Sequence, residues 1–315
     1  MEEFSTPILF LVFNRPETTA VVFEEIKRIK PKYLFVACDG PREGVSGESE
    51  TVESVKKLIT ENINWECEVK TLFRDKNLGC KIAVSSALDW FFGQVEEGII
   101  LEDDCLPDQS FFYYCQALLE KFRYDDRVMH IGGNNFQDGI KRGNDSYYFS
   151  IFNHIWGWAT WRRAWKYYDL TMRDYPEFEK QKKIFTIFNK LGEQIYWQKI
   201  FKNMFAGKIN TWDYAWFFSC LLHGGLSCTP NVNLVSNIGL NNSATHFSLR
   251  DDLCLSRQSI SFPLTHPVNF VANREADSYT DKRFFKTGLL RVVSVSIIDY
   301  LGIKNSLKKI ILKFK

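Results

Sequence analysis

Three adjacent carboxylates, Glu102-Asp103-Asp104, are the residues best suited to chemistry in this chain, and they directly follow the apolar run at 98–101. Neighbouring negative charges repel one another, so such a cluster at the end of a buried strand is favourable when a cation lies among them. Mg²⁺ and Mn²⁺ take oxygen ligands and can bridge a carboxylate to a diphosphate. The cluster therefore predicts a divalent metal site, and the alternative is a solvated acidic turn.

Polar side chains also follow two earlier apolar runs. Asp39, in the segment ACDG, would accept a hydrogen bond from a uracil N–H or a ribose hydroxyl, or would only shape a turn before Gly-Pro. Arg15, in the segment FNRPE, would pair with a phosphate or stack on a base, or would be a surface cation before Pro16. Both residues are candidate nucleotide contacts.

Asp213 is the candidate general base. It lies between Trp212 and Trp216 in the segment TWDYAW, and apolar surroundings raise the pKa of a carboxyl group towards the range of a general base. The alternative is an acid at the start of a helix, where the helix dipole favours it. His246 follows a polar segment and is a candidate metal or phosphate ligand, although a single histidine is more often structural.

The signatures of several other protein classes are absent. The sequence contains no G-x-G-x-x-G, no Walker phosphate loop, no H-E-x-x-H and no G-x-S-x-G, which argues against dehydrogenases, ATPases, zinc proteases and serine hydrolases. A formal net charge of only +2 argues against nucleic acid as the partner. The 8 cysteines include no C-x-x-C pair and are predicted to be small buried side chains in a reducing compartment.

An alternation of strand and helix patterns must position these candidate residues. Apolar runs predict strands at 7–13, 33–39 and 98–101, a loose alternation predicts one at 66–74, and residues 127–131 predict a fifth. Apolar residues three or four apart predict helices between them. This alternation predicts an α/β fold with a mostly parallel sheet flanked by helices, and ligands bind such sheets at the carboxyl ends of the strands. Arg15, Asp39 and the acidic cluster should therefore converge.

The second half of the chain is less regular. Residues 153–165 are dense in tryptophan, a helical region extends to about residue 207, and residues 211–222 predict another helix. Residues 305–315 form a basic amphipathic segment, which is interpreted either as a membrane-surface helix or as a helix that docks on its own domain. The acidic N-terminus does not resemble a signal peptide and no apolar stretch is long enough to span a bilayer, so a cytoplasmic protein is expected.

The order of these pieces resembles the nucleotide-diphospho-sugar transferases of the GT-A fold. The resemblance rests on Asn-Arg-Pro after the first strand, the Asp-Gly strand end, GIILEDDCLPDQSFFYY, WGWATWRRAW and TWDYAW. It is closest in kind to bacterial relatives of N-acetylglucosaminyltransferase I, in which a Pro-Asp-Phe-Phe helix follows the EDD motif. By this resemblance, Asp104 would bind Mn²⁺ or Mg²⁺, Glu102 and Asp103 would meet the donor, and Arg15 and Asp39 would hold the nucleotide.

The resemblance also implies the rest of the reaction. Asp213 matches the region of the base, although the adjacent acid of the family is replaced by Tyr214. Residues 1–140 would bind the nucleotide-sugar, residues 141–287 would bind a glycan or lipid-linked acceptor within the same GT-A domain, and residues 288–315 would form a basic tail. The reaction implied by the resemblance is sugar transfer with inversion. The two rival functions are a sugar nucleotidyltransferase and a non-catalytic sugar-binding protein.

Overall fold

The computed structural model describes residues 4–239 and 255–300, with side chains described as far as residue 294. Its centre is an eight-stranded sheet with the strand order β3-β2-β1-β4-β8-β6-β9-β7. A separate pair of short antiparallel strands, β5 and β10, lies beside it. The strands are β1 (Ile8–Val12), β2 (Tyr33–Cys38), β3 (Glu68–Phe73), β4 (Glu97–Glu102), β5 (Cys105–Pro107), β6 (Val128–Gly132), β7 (Tyr147–Ser150), β8 (Trp158–Trp161), β9 (Leu226–Pro230) and β10 (Val235–Asn237).

Helices connect the parallel strands and cover the sheet. They are α1 (Pro16–Ile29), α2 (Glu48–Thr60), α3 (Gly79–Phe92), α4 (Gln109–Phe122), α5 (Arg162–Trp165), α6 (Tyr175–Lys180), α7 (Ile184–Ile187), α8 (Leu191–Phe205), α9 (Asp213–Leu222), α10 (Arg274–Thr280) and α11 (Leu289–Tyr300). A π-helix, Asp281–Phe285, directly follows α10. Within the described residues, no helix has both the length and the apolar character needed to cross a membrane.

The predicted fold class is confirmed, because this is an α/β protein with a mostly parallel sheet flanked by helices, consistent with a Rossmann-like GT-A fold. Strands β3, β2, β1 and β4 pair in parallel, and the apolar runs of β1, β2 and β4 are typical of buried parallel strands. Every residue of β1 is buried, which is expected of a strand covered on both faces. One apolar cluster packs under α1, α2 and α4, and another packs under α3 and α9.

The second half of the chain returns into the same sheet. Strand β8 pairs antiparallel with β4 on one side and with β6 on the other. Strands β6 and β9 pair in parallel, and β7 closes the far edge by pairing antiparallel with β9. The two predicted parts at 1–140 and 141–287 therefore share one sheet, while the boundaries between them stay a prediction.

The first part of the predicted tail is helical. Helix α11 begins at Leu289 and packs against α8, which favours docking on the domain for this segment. The amphipathic segment at 305–315 lies outside the described residues, so its predicted membrane contact stays a prediction.

Candidate functional site

The predicted convergence of strand ends is present in the structure. Strand β1 lies between β2 and β4 in the sheet, and all three run parallel, so their carboxyl ends meet at one edge. Leu11 is aligned with Glu102, the last residue of β4. Arg15, which follows β1, and the acidic cluster, which ends β4, consequently lie side by side although 89 positions separate Arg15 from Asp104.

Arg15 bridges two acids of the cluster. Its Nη1 donates to Asp104 Oδ2 at 2.8 Å, and its Nη2 lies 3.5 Å from Asp103 Oδ1. Burial alone would lower the pKa of Arg15, but the charges of Asp103 and Asp104 raise that pKa above its ordinary value. The guanidinium therefore stays positively charged where it lies, between Asp103 and Asp104.

The other two acids differ in exposure, because Asp103 is buried and Glu102 is half-buried. Asp103 is buried, with 4% of its surface exposed, and accepts a hydrogen bond from the Phe13 backbone N–H at 3.3 Å. Burial raises the pKa of Asp103 to about 7, although Arg15 opposes the shift. For Glu102, burial and then the charges of Asp104 and Asp103 raise the pKa well above its usual range. A further cation would therefore stabilise the ionised form of both carboxyl groups.

Asp213 lies near the acidic cluster at the start of a different helix. It is the first residue of α9, and its carboxylate accepts a hydrogen bond from the Thr211 hydroxyl. Its charge is among the causes that raise the pKa of Glu102 and of Cys80. Charges act over short distances in a partly buried cleft, so this coupling brings the candidate base close to the acidic cluster.

The tryptophans beside Asp213 are buried in the core of the protein. Trp212 and Trp216 have 1% and 0% of their surface exposed, and both pack against Trp158 of β8. Residues four apart share one side of a helix, whereas Asp213 points about 100° away from Trp212. The two rings anchor the start of α9 in the core, and the expected apolar walls around Asp213 are not formed by them.

A buried hydrogen bond fixes α9 to the sheet. Trp216 Nε1 can only donate, so His130 Nδ1 accepts at 3.3 Å and His130 Nε2 carries the proton that it shares with the His154 carbonyl at 3.0 Å. Burial lowers the pKa of His130 to about 3, so the ring is neutral at physiological pH. His130 belongs to β6, and the position of Asp213 is thereby tied to that strand.

Asp39 lies at the same edge but its carboxylate is engaged by the backbone. Its oxygens accept from the N–H groups of Gly40, Leu78 and Gly79, each at 3.0 Å. Only 8% of the residue is exposed. These contacts close the turn that begins α3, which supports the turn-forming alternative, while the predicted nucleotide contact stays a prediction.

Three residues at this edge were not singled out from the sequence. Cys80, one residue into α3, is exposed, so the expectation that the cysteines are buried is wrong here; protein packed around the thiol and the charges of Glu102 and Asp213 raise its pKa to about 12. Arg74 follows β3, and its buried Nη1 has no hydrogen-bond partner among the described residues. Gly239 lies so close that an added Cβ would be 2.7 Å from Arg15 Nη1.

Different sequence signals accompany these residues. Cys80 directly follows the Asn77-Leu78-Gly79 turn, and Arg74 follows a predicted strand, so placing strand ends together could have found both. Gly239 gives no such signal, because its contact depends on β10 pairing with β5 across more than 120 positions.

The carboxylates suit a metal that also takes ligands from its substrate. Within residues 4–239 and 255–300, no group of three His, Cys, Asp or Glu side chains is arranged to hold an ion. Mg²⁺ and similar ions are commonly bound by one or two carboxylates together with water and phosphate oxygens. The Arg15 guanidinium already marks a cation position between Asp103 and Asp104, so the donor set fits such an ion. His246, the other predicted ligand, lies outside the described residues.

Comparisons with known proteins return structures of similar fold. No protein-family model and no curated protein matches the chain. One solved structure that matches is mannosyltransferase PcManGT from Pyrobaculum calidifontis in complex with GDP-Man and Mn²⁺, at 14% identity and a TM-score of 0.34, covering 51% of this chain and 46% of that one. Another is a cytidylyltransferase from Leptospira borgpetersenii, at 12% identity and a TM-score of 0.33, covering 57% of this chain and 73% of that one.

A third similar structure is S. aureus TarS 1-349, at 10% identity and a TM-score of 0.33, covering 52% of this chain and 49% of that one. The chain thus spans about half the length of the mannosyltransferase and TarS structures. Such low identities and TM-scores leave the function to be inferred from the site itself. The chain is similar in fold to glycosyltransferases and to nucleotidyltransferases alike.

Proposed function

We propose that this chain is a metal-dependent glycosyltransferase that moves a sugar from a nucleoside-diphosphate donor, a UDP-sugar in the first instance, to a glycan or lipid-linked acceptor. The observation that carries the proposal is the set of charged groups at the ends of the parallel strands. Arg15 is paired with Asp103 and Asp104, and a separate carboxylate, Asp213, lies close enough for its charge to raise the pKa of Glu102. Arg15 can hold a charged leaving group while Asp213 accepts a proton.

The donor side has the charges needed to hold a diphosphate. Arg15 presents a planar guanidinium that suits phosphate oxygens, and 31% of its side chain is exposed to the cleft. A divalent metal held by Asp104, with Glu102 and Asp103 nearby, would supply positive charge to the leaving diphosphate. Neither role requires a lysine-rich or glycine-rich phosphate loop.

Asp213 is the proposed base on the acceptor side. Its carboxylate takes the proton of an acceptor hydroxyl, and the acceptor oxygen forms a bond to the anomeric carbon. The bond between that carbon and the diphosphate breaks at the same time, and the electron pair leaves with the nucleoside diphosphate. A single displacement of this kind inverts the anomeric centre.

The basic segment near the C-terminus supports a proposal for the acceptor and the cellular setting. A lipid-linked acceptor would suit the basic segment at 305–315, because cationic residues are attracted to anionic membrane surfaces. We therefore propose cell-surface polysaccharide assembly by a cytoplasmic protein with peripheral membrane contact. The likeness to bacterial relatives of N-acetylglucosaminyltransferase I, which rests on the EDD motif and the segment after it, belongs to this proposal too.

A sugar nucleotidyltransferase is the main rival. Enzymes of that kind usually carry a glycine-rich, basic loop after the first strand. Here α1 begins at Pro16, only a few residues after β1 ends, and the intervening segment Phe13-Asn14-Arg15 contains no glycine. This short connection favours sugar transfer over nucleotidyl transfer.

A donor panel tests the proposal directly. The purified chain is incubated with UDP-, GDP- and CDP-sugars, with Mn²⁺, Mg²⁺ or EDTA, and released nucleoside diphosphate is measured. Metal-dependent release from one donor class supports transfer, since glycosyltransferases slowly pass the sugar to water. Pyrophosphate formed from a nucleoside triphosphate and a sugar phosphate would establish the nucleotidyltransferase instead. Binding of a nucleotide-sugar without turnover, with acceptors supplied, would leave a non-catalytic binding protein.

Asp104→Asn provides the matched site variant. It keeps the size of the side chain but removes the charge that a metal needs, so metal-dependent nucleotide binding should be lost. Asp108→Asn is unsuitable as a control because Asp108 caps α4. Asp126→Asn is the control, because it removes a carboxylate whose side chain is 81% exposed, two residues before β6. Equal donor turnover in Asp104→Asn and Asp126→Asn would contradict the proposed metal site.

A further inference from the structure

Arg15 occupies the side of Asp104 from which a metal ion would bind. Its Nη1 is 2.8 Å from Asp104 Oδ2, and its Nη2 is 3.5 Å from Asp103 Oδ1. Only 15% of the Asp104 side chain is exposed. Little of this carboxylate is therefore open to an ion while Arg15 stays in place.

Other groups also lie close to Asp104. The Cys105 thiol is 3.5 Å from Asp104 Oδ1. The Ile238 backbone N–H donates to the backbone carbonyl of Asp104 at 2.8 Å and holds Gly239 against the ion pair, where an added Cβ would meet both Asp104 Oδ2 and Arg15 Nη1. Arg15, Cys105 and Gly239 together leave little room for an ion at this carboxylate.

A metal ion and the Arg15 guanidinium would repel each other if both contacted Asp104 Oδ2. Mg²⁺ binds a carboxylate oxygen at about 2.1 Å, and Arg15 Nη1 lies 2.8 Å from Asp104 Oδ2. A metal ion on Asp104 Oδ2 would therefore be at most about 5 Å from Nη1, whichever side of the oxygen it bound. Two positive groups that close repel each other strongly in a partly buried cleft. Binding of a metal ion is therefore expected to weaken the contact of Arg15 with Asp104.

We propose that Arg15 and the divalent metal exclude each other at Asp104, and that Arg15 moves from this carboxylate to the diphosphate when metal and nucleotide bind together. Phosphate offers a guanidinium the same paired oxygen acceptors as carboxylate does. The partly exposed side chain of Arg15 can turn towards the cleft without unpacking the core. Arg15 is then a positioning residue that makes metal and nucleotide binding cooperative. This inference rests on the proposed function for its nucleotide ligand.

Mn²⁺ binding without nucleotide is the decisive measurement. Binding is followed by electron paramagnetic resonance of free Mn²⁺ and by calorimetry, for the original chain and for Arg15→Gln. Removing the internal cation should tighten Mn²⁺ binding about tenfold, within the usual range of coupling between two ligands. Adding UDP should tighten Mn²⁺ binding to the original chain by a similar factor and should have much less effect on Arg15→Gln.

Two further variants control for charge and for folding. Arg28→Gln removes an arginine from the same helix, where Glu25 keeps its contacts with Arg257 and Gln109, so Mn²⁺ binding should not change. Arg15→Lys keeps a cation beside Asp104, so its Mn²⁺ affinity without nucleotide should stay near that of the original chain. Thermal unfolding of each variant identifies any change that reflects a damaged fold, and Arg15→Lys then provides the test with the fold preserved.

The outcomes separate this inference from the proposed function. Tighter Mn²⁺ binding in Arg15→Gln, with Arg15→Lys unchanged, supports mutual exclusion whether or not a donor has been identified. Equal Mn²⁺ affinity in Arg15→Gln and the original chain, with nucleotide still enhancing Mn²⁺ binding, overturns the inference and leaves the transferase proposal standing. If none of the proteins binds Mn²⁺ with or without UDP, GDP or CDP, both the inference and the proposed metal dependence are wrong.

Discussion

The backbone N–H of Leu78 donates to the carboxylate of Asp39, and its nitrogen lies 3.0 Å from each carboxylate oxygen. Asp39 follows β2 and Leu78 precedes α3, so one side chain fastens the start of a helix to the end of a strand. Cys80 lies two residues further on and faces the acidic cluster. The contact therefore shapes one wall of the candidate site.

Asp39→Asn should lower the free energy of unfolding by about 1 to 3 kcal/mol, because an amide cannot accept from all of these N–H groups and a hydrogen bond to a charged group contributes about that much. The midpoint of denaturant unfolding measures the change. Asp75→Asn, three residues before Leu78 at an exposed position, should leave the midpoint unchanged. Equal midpoints for Asp39→Asn and the original chain would leave the carboxylate free for a ligand role.

Asp213→Asn should keep nucleotide and Mn²⁺ affinity but reduce sugar transfer about 10²- to 10⁴-fold, the contribution typical of a general base. Donor turnover in the presence of an acceptor measures the loss, and calorimetry measures the binding. Asp174→Asn removes an exposed acid that also stands at the start of a helix, and its turnover should equal that of the original chain. Unchanged turnover in Asp213→Asn would remove this residue from the proposed role.

Gly239→Ala should lower the free energy of unfolding by about 1 to 3 kcal/mol, the usual cost of adding a methyl group to a filled space. The new Cβ would crowd Asp104 Oδ2, the proposed metal-binding oxygen, as well as Arg15 Nη1, so Mn²⁺ and nucleotide affinity should fall as well. Gly288→Ala is the matched control, since an added Cβ there meets no atom within 4 Å. Normal affinity in Gly239→Ala would mean that the 237–239 segment can move aside freely.

Asp281→Asn should stabilise the protein relative to the original chain as the pH rises from about 4 to 7. Burial raises the pKa of Asp281 to about 6, so the folded state binds this proton more tightly than the unfolded state. The stability that the carboxyl group contributes is complete below its unfolded pKa of about 4 and is lost as the pH rises through 6. Asparagine carries no proton to lose and can pair with both Trp197 and Thr287, the present partners of Asp281.

The difference in unfolding free energy between Asp281→Asn and the original chain isolates this group from the other titrating residues. It should grow by about 2 to 3 kcal/mol between pH 4 and pH 7, which corresponds to a shift of about two pKa units. Denaturant unfolding at several pH values measures it. A difference that stays constant over this range would show that Asp281 keeps an ordinary pKa.

The parallel half of the fold could be predicted from local sequence patterns. The apolar runs at 33–39 and 98–101 became β2 and β4 with boundaries shifted by one residue, because a strand buried on both faces needs a continuous apolar run. The same logic placed Arg15 beside the acidic cluster. Parallel strands end at a common edge, so polar residues that follow them meet without any local signal of their own.

The antiparallel half could not be predicted in this way. The segment at 158–161 lies in a tryptophan-dense stretch with no alternation of polar and apolar residues, yet it forms β8 between β4 and β6. Its strand state depends on pairing with partners far away in the sequence, which local propensity does not encode. The exposure of Cys80 could not be predicted either, because composition does not show which side of α3 faces the solvent.

Strand β8 also determines how the cleft can work. It joins the half of the sheet that carries Glu102 to the half to which α9 and Asp213 are tied through His130. Two neighbouring strand spacings of about 4.8 Å each separate β4 from β6, and their hydrogen bonds resist stretching. The sheet therefore sets the distance between Glu102 and the start of α9, and this distance is expected to stay constant when a ligand binds.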